Sequence, residues 1–125
     1  MSESSYQGFK GKVVIAPEVL MTIARLAALS VPGVAGMAFL PGSVNRLFGR
    51  RPPPGEGVRI SVHDHTVRAD LHLIVNPGSN MRDIGQRVQH EVAMAIQQMV
   101  GMDVEAVNVH IQDVAYDDAG VKKSE

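Results

Sequence analysis

The chain has 125 residues, no cysteine, five histidines, and twelve lysines and arginines against thirteen aspartates and glutamates, for a formal net charge of −1. One domain of that length buries a core without covalent staples, and 45% apolar residues exclude wholesale disorder. The missing cysteines exclude disulfides, thiol nucleophiles and thiolate metal sites and fit a reducing compartment, while the near-zero charge excludes a global positive field drawing the protein onto nucleic acid or anionic lipid.

The first ten residues, MSESSYQGFK, are polar and carry no secretion-signal pattern. We read residues 1–7 as a flexible N-terminal tail, residues 8–115 as a single α+β domain, and residues 116–125 as a flexible charged C-terminal tail. Lys12 to Ala16 is a short apolar run that reads as a first strand. Pro17 stands at a first helical position, where its missing N–H costs nothing. From Pro17 to Ser30, Val19, Leu20, Ile23, Ala24, Ala27 and Leu29 recur at helical spacing. Pro32 and Gly33 end this helix, and Val34 to Leu40 reads as a second strand. The longest apolar region, Val13 to Leu40, is broken by Pro17, Glu18, Arg25, Pro32 and Gly33, so no segment reads as membrane-spanning and no direct insertion is expected.

Pro41 to Gly57 is rich in proline and glycine and reads as a loop, with one helical turn over Ser43 to Phe48. Val58 to His63 and Thr66 to Val75 both alternate apolar with polar residues, and Asp64-His65 between them reads as a two-residue hairpin turn. That turn sets Val62 opposite Val67, Ile60 opposite Ala69, Val58 opposite Leu71, and Arg59 opposite Asp70 as an opposite-charge pair. Asn76-Pro77-Gly78 is a turn, and Ser79 or Asn80 caps a second helix running to about Val100. Its apolar stripe is Met81, Ile84, Val88, Val92, Ala95, Ile96 and Met99, and Gly101 stops it. Val104 to Val114 is the last strand, with Val107, Val109 and Ile111 inward and Asn108, His110 and Gln112 outward.

The order strand–helix–strand–strand–strand–helix–strand predicts a two-layer α+β sandwich: a mixed sheet with both amphipathic helices on one face. The other face then carries Arg59, Arg68, Asp70, His72, Asn108, His110 and Gln112, our candidate surface for a partner or for self-association. Arg46, Arg50 and Arg51 in the loop are candidate phosphate contacts, which leaves a small RNA-binding module as the alternative function, with three Phe, two Tyr and no Trp to stack on bases. His63, His72 and His110 fall on one face, but in this register His63 and His72 lie too far apart for one ion. No nucleophile elbow, paired-acid or phosphate-loop pattern is present, so we expect no catalytic residue, no metal and no cofactor.

Four stretches carry a family resemblance: GKVVIAPEVLMTIARLAALSVPGVAGM (Gly11 to Met37), VNRLFGRRPPPGEGVRISV (Val44 to Val62), VRADLHLIV (Val67 to Val75) and IGQRVQHEVAMAIQQMVGMDVEAVNVHIQDV (Ile84 to Val114). In order and wording they resemble the alkaline shock protein family of bacterial envelope stress response proteins, over about Gly8 to Ala115. The closing VNVHIQDV after a helix ending in Gly-Met is the most specific piece. The resemblance implies a cytoplasmic protein without enzymatic activity that self-associates, is held near the membrane by a small membrane-anchored partner, and serves envelope homeostasis. It brings no catalytic residue to carry over. The turn Val75 to Asn80 departs from the shorter turn expected there.

Overall fold

The computed structural model describes residues 9–39 and 56–115. In chain order these form α1 (Pro17–Leu29), β1 (Val34–Met37), β2 (Val58–His63), β3 (Thr66–Val75), α2 (Met81–Val100) and β4 (Asp103–Val114). The fold is α+β, with a mixed sheet. β3 pairs antiparallel with β1 and β2 and parallel with β4. Because β1 meets the Leu73–Val75 end of β3 and β2 the Thr66–Leu71 end, the two share one edge of β3 and β4 takes the other.

The elements follow from local chemistry. Pro17 sits in the first turn of α1, and the residue before a proline is pushed out of the helical region, which leaves Ala16 extended at φ −67° and ψ 146°. Asn80 caps α2 by accepting the Asp83 N–H on Oδ1 at 2.9 Å. Gly101, at φ 78°, ends α2 in the left-handed conformation that glycine takes without strain. The β2–β3 hairpin turns on Asp64 and His65, both at positive φ, 48° and 69°. Two such residues give the turn whose twist matches the strands it joins. The register is the one the alternation dictates: Val58 to Leu71, Arg59 to Asp70, Ile60 to Ala69 and Val62 to Val67.

The core lies between the sheet and the two helices. Leu20, Ile23, Ala24 and Ala28 of α1 and Ile84, Val88, Val92 and Ile96 of α2 close over Val67, Ala69, Leu71, Leu73 and Val75 of β3. Three sequence expectations need correction. Lys12 to Ala16 forms no strand: Val13 and Val14 are 86% and 80% exposed, because β-propensity is realised only against a partner edge. The order is therefore α-β-β-β-α-β among the described residues. Val19, Met81 and Met99 carry the apolar period but lie at the rims of their stripes and stay exposed, while Ala28 is buried in their place. The second strand ends at Met37, and Leu40 lies outside the described residues.

One glycine holds the seam where β1 and β2 meet along β3. The His72 N–H donates to the Gly57 carbonyl at 2.8 Å, and the His72 carbonyl accepts from Ala38 N–H at 2.8 Å. Gly57 is buried at φ +87°, and a Cβ there would lie 2.6 Å from the Ala38 carbonyl oxygen. Strain and a backbone clash coincide, so Gly57→Ala is expected to cost about 1–3 kcal/mol or more. Urea unfolding checks this: an unchanged midpoint would show that the seam relaxes freely.

Candidate interaction face on the open side of the sheet

Alternation along the strands decides which side chains leave the core. On β3 the inward row is fully buried, and Arg68, Asp70 and His72 point the other way. The parallel register with β4 sets Asp70 beside Asn108 and His72 beside His110. Two bulges in that pairing, at Glu105 and Gln112, keep the apolar residues of β4 on the helix side at both ends of the strand.

The result is a connected polar surface. Asn108 Nδ2 donates to Asp70 Oδ1 at 2.9 Å. The imidazoles of His72 and His110 stack with ring centroids 4.5 Å apart and planes 11° from parallel. His110 Nε2 lies 3.9 Å from Asp70 Oδ1, a contact that becomes an ion pair when His110 is protonated. Arg68 reaches Glu105 at 3.4 Å across an exposed pair, an interaction of small value in water. Arg59 stands opposite Asp70 in the register, but the Asp70 carboxylate is held by Asn108, not by an Arg59 ion pair. Gln112 lies beside His72 on the same face and favours its charged ring.

His72 sits at the centre of this surface, and the fold holds its pKa below the ordinary value of 6.5. The main cause is partial burial, which disfavours the charged ring; the neighbouring His110 and then Arg59 add to it, against Gln112 and Asp70. Its Nδ1 is buried without a hydrogen-bond partner, so a second ring proton would find no acceptor there.

The structure brings Arg59, Arg68, Asp70, His72, Asn108, His110 and Gln112 onto one face. His63 shares this face but pairs with Thr66 at the hairpin end, well along β3 from His72, so it does not join the cluster. Arg46, Arg50 and Arg51, with the helical turn at 43–48, lie outside the described residues. Among the described residues no three His, Asp or Glu side chains are placed to hold a metal ion. Sequence reasoning missed the ring stack. The signal was there in two histidines at matching outward positions of adjacent strands, but it needed the parallel register to be read. On the helix side, a groove of about 590 Å³ is lined by Ser30, Asp83, Arg87, His90 and Glu91. Its mixed charges select neither anions nor cations.

A histidine whose folded pKa is depressed binds its proton more readily in the unfolded chain. Its neutral form therefore supports the fold above the unfolded pKa of 6.5, and that support is lost as pH falls through and below that value. We expect the wild-type urea midpoint to drop between about pH 7.5 and 5.5, and His72→Gln to flatten that drop. Parallel pH profiles for the two proteins would remove His72 as its source.

Comparison with known proteins places this arrangement. The alkaline shock protein family, described by a cell envelope-related function, matches residues 5–116. The uncharacterized protein YqhY of Bacillus subtilis strain 168 is 34% identical over 109 residues, covering 86% of this chain and 79% of YqhY. The uncharacterized protein YloU of the same organism is 27% identical over 110 residues, covering 83% of this chain and 88% of YloU. Among solved structures, the copper form of the MamM CTD matches with a TM-score of 0.57 at 20% identity, over 82% of this chain and 90% of that one. That likeness is one of fold. With a family match over nearly its whole length and a relative above 30% identity, this chain belongs to the alkaline shock protein family, whose function is cell envelope-related.

Proposed function

We propose that the protein serves cell-envelope homeostasis without catalysing a reaction. It associates with itself and presents the open face of its sheet to a protein partner at the inner side of the membrane. The observation that carries this reading is the sheet face that no other described element covers, where Asp70 and Asn108, His72 and His110, and Arg68 and Glu105 are already engaged with one another. Side chains ordered before binding lose less freedom when a partner arrives. The face mixes Arg59 and Arg68 with Asp70 and Glu105, a pattern that suits a complementary protein surface better than a uniformly negative phosphate backbone. Among the described residues no helix is long and apolar enough to cross a membrane. In this reading a small membrane-anchored protein supplies the attachment.

The test is capture of the tagged full chain from its own cells after brief crosslinking in mild detergent. Recovery of the chain itself with one small membrane protein is expected. The double variant Arg59→Glu, Arg68→Glu should lower recovery of that partner about tenfold through like-charge contacts while self-association persists. Nuclease-sensitive recovery of RNA with no membrane protein would reject the reading and make Arg46, Arg50 and Arg51 the residues to examine.

A further inference from the structure

The segment before α1 is apolar and turned to solvent. Phe9, Val13 and Val14 are 80% or more exposed and Ile15 is 37% exposed. Val13, Val14 and Ile15 are β-branched residues that suit a strand, and Pro17 prevents them from joining α1. An exposed apolar run of this kind marks a contact surface.

The edge that fits it is on β4. Among the described residues β4, 12 residues long, pairs with β3 on one side only. Between the bulges at Glu105 and Gln112 the pairing is regular from Ala106 to Ile111. The Val107 carbonyl faces off the sheet, where it accepts from Gln89 Nε2 at 3.1 Å. Strand alternation then turns the backbone groups of Val109 and Ile111 to the same open side. The side chains of Val107, Val109 and Ile111 are half-buried, whereas their β3 neighbours Ala69, Leu71 and Leu73 are fully buried. Beside this edge runs a groove of about 400 Å³ whose lining includes Met81, Gly85, Val109 and Ile111. Gly85 helps keep it open: a Cβ there would approach Val109 Cγ1 at 4.0 Å, and a longer side chain would enter the groove.

Charge separates this edge from the other open one. The arm from Phe9 to Ala16 carries Lys10 and Lys12 and no acid, and β4 carries Asp103, Glu105 and Asp113 and no lysine or arginine. β2, which among the described residues is also unpaired on one edge, spans 6 residues and carries Arg59, a like charge to the arm.

We propose that residues 12–16 of one copy add as a further strand to the β4 edge of a second copy, with Val13 and Ile15 seated in the groove between β4 and α2. Alternation puts those two side chains on one face and Val14 on the other, beside His110 of the outward row. The arm and the edge are different surfaces, so the contact is heterologous, and repeating it produces a ring or a filament, not a symmetric pair. This inference rests on the self-association proposed above and specifies its contact.

Sedimentation velocity of the full chain over a concentration series tests it. The wild type should shift to larger species as concentration rises. The arm variant Val13→Asp, Ile15→Asp and the groove variant Gly85→Leu should each associate about tenfold more weakly or not at all. The arm residues are exposed, so the arm variant should keep the wild-type thermal midpoint. The absence of cysteine allows a second readout: a mixture of Val14→Cys and His110→Cys chains should oxidise to a mixed dimer in excess over either homodimer. Val14→Cys with Ser61→Cys on β2 should not. Wild-type association that the arm variant leaves intact would overturn the arm-to-edge contact while sparing self-association. Preferred crosslinking at Ser61 would overturn the β4 assignment, and a wild type that stays monomeric at every concentration would overturn both proposals.

Discussion

Val67, Ala69, Leu71, Leu73 and Val75 form one row on β3 that is wholly removed from water. Burial of a valine or leucine side chain contributes about 1.5–3 kcal/mol, so this row anchors the core. A strand buried to that degree needs helices over its face and backbone partners on both edges. The 10 residues of β3 exceed the 4 of β1 and the 6 of β2, so those two strands divide one edge between them. The seam falls at His72, and closing it requires Gly57 in a conformation that other residues resist.

The same strand thereby positions the candidate face. Period-two alternation sends Arg68, Asp70 and His72 away from the core that their neighbours build, and the parallel pairing with β4 supplies Asn108 and His110 at matching heights. The backbone clamp on His72 and the ring stack with His110 keep the imidazole half-buried and its pKa low. A surface built this way is held together by contacts among its own side chains.

β4 is the contrasting strand. Among the described residues it is the longest strand, yet it is paired on one edge only and its inward row is half-exposed beside a groove. Open edges invite pairing, and natural proteins usually blunt them. Here Gln89 engages a single edge carbonyl and the bulges confine regular pairing to Ala106 through Ile111. The apolar arm before α1 is the complementary loose end in the contact proposed above.

By itself the sequence determined the helices, the β2–β3 register and the alternation that separates the core side of the sheet from its open face. These follow from local rules: proline and asparagine at helix starts, glycine at a helix end, a two-residue turn, and alternation that a one-residue slip would invert. The tertiary structure decided the rest. Whether Val13 to Ile15 pair as a strand depends on an edge being available, which propensity does not encode. Whether Asp70 meets Arg59 or Asn108, and whether two histidines stack, depends on distances between strands far apart in the chain. Alternation names the face a side chain takes, but its neighbour on that face is set by how separate strands pack.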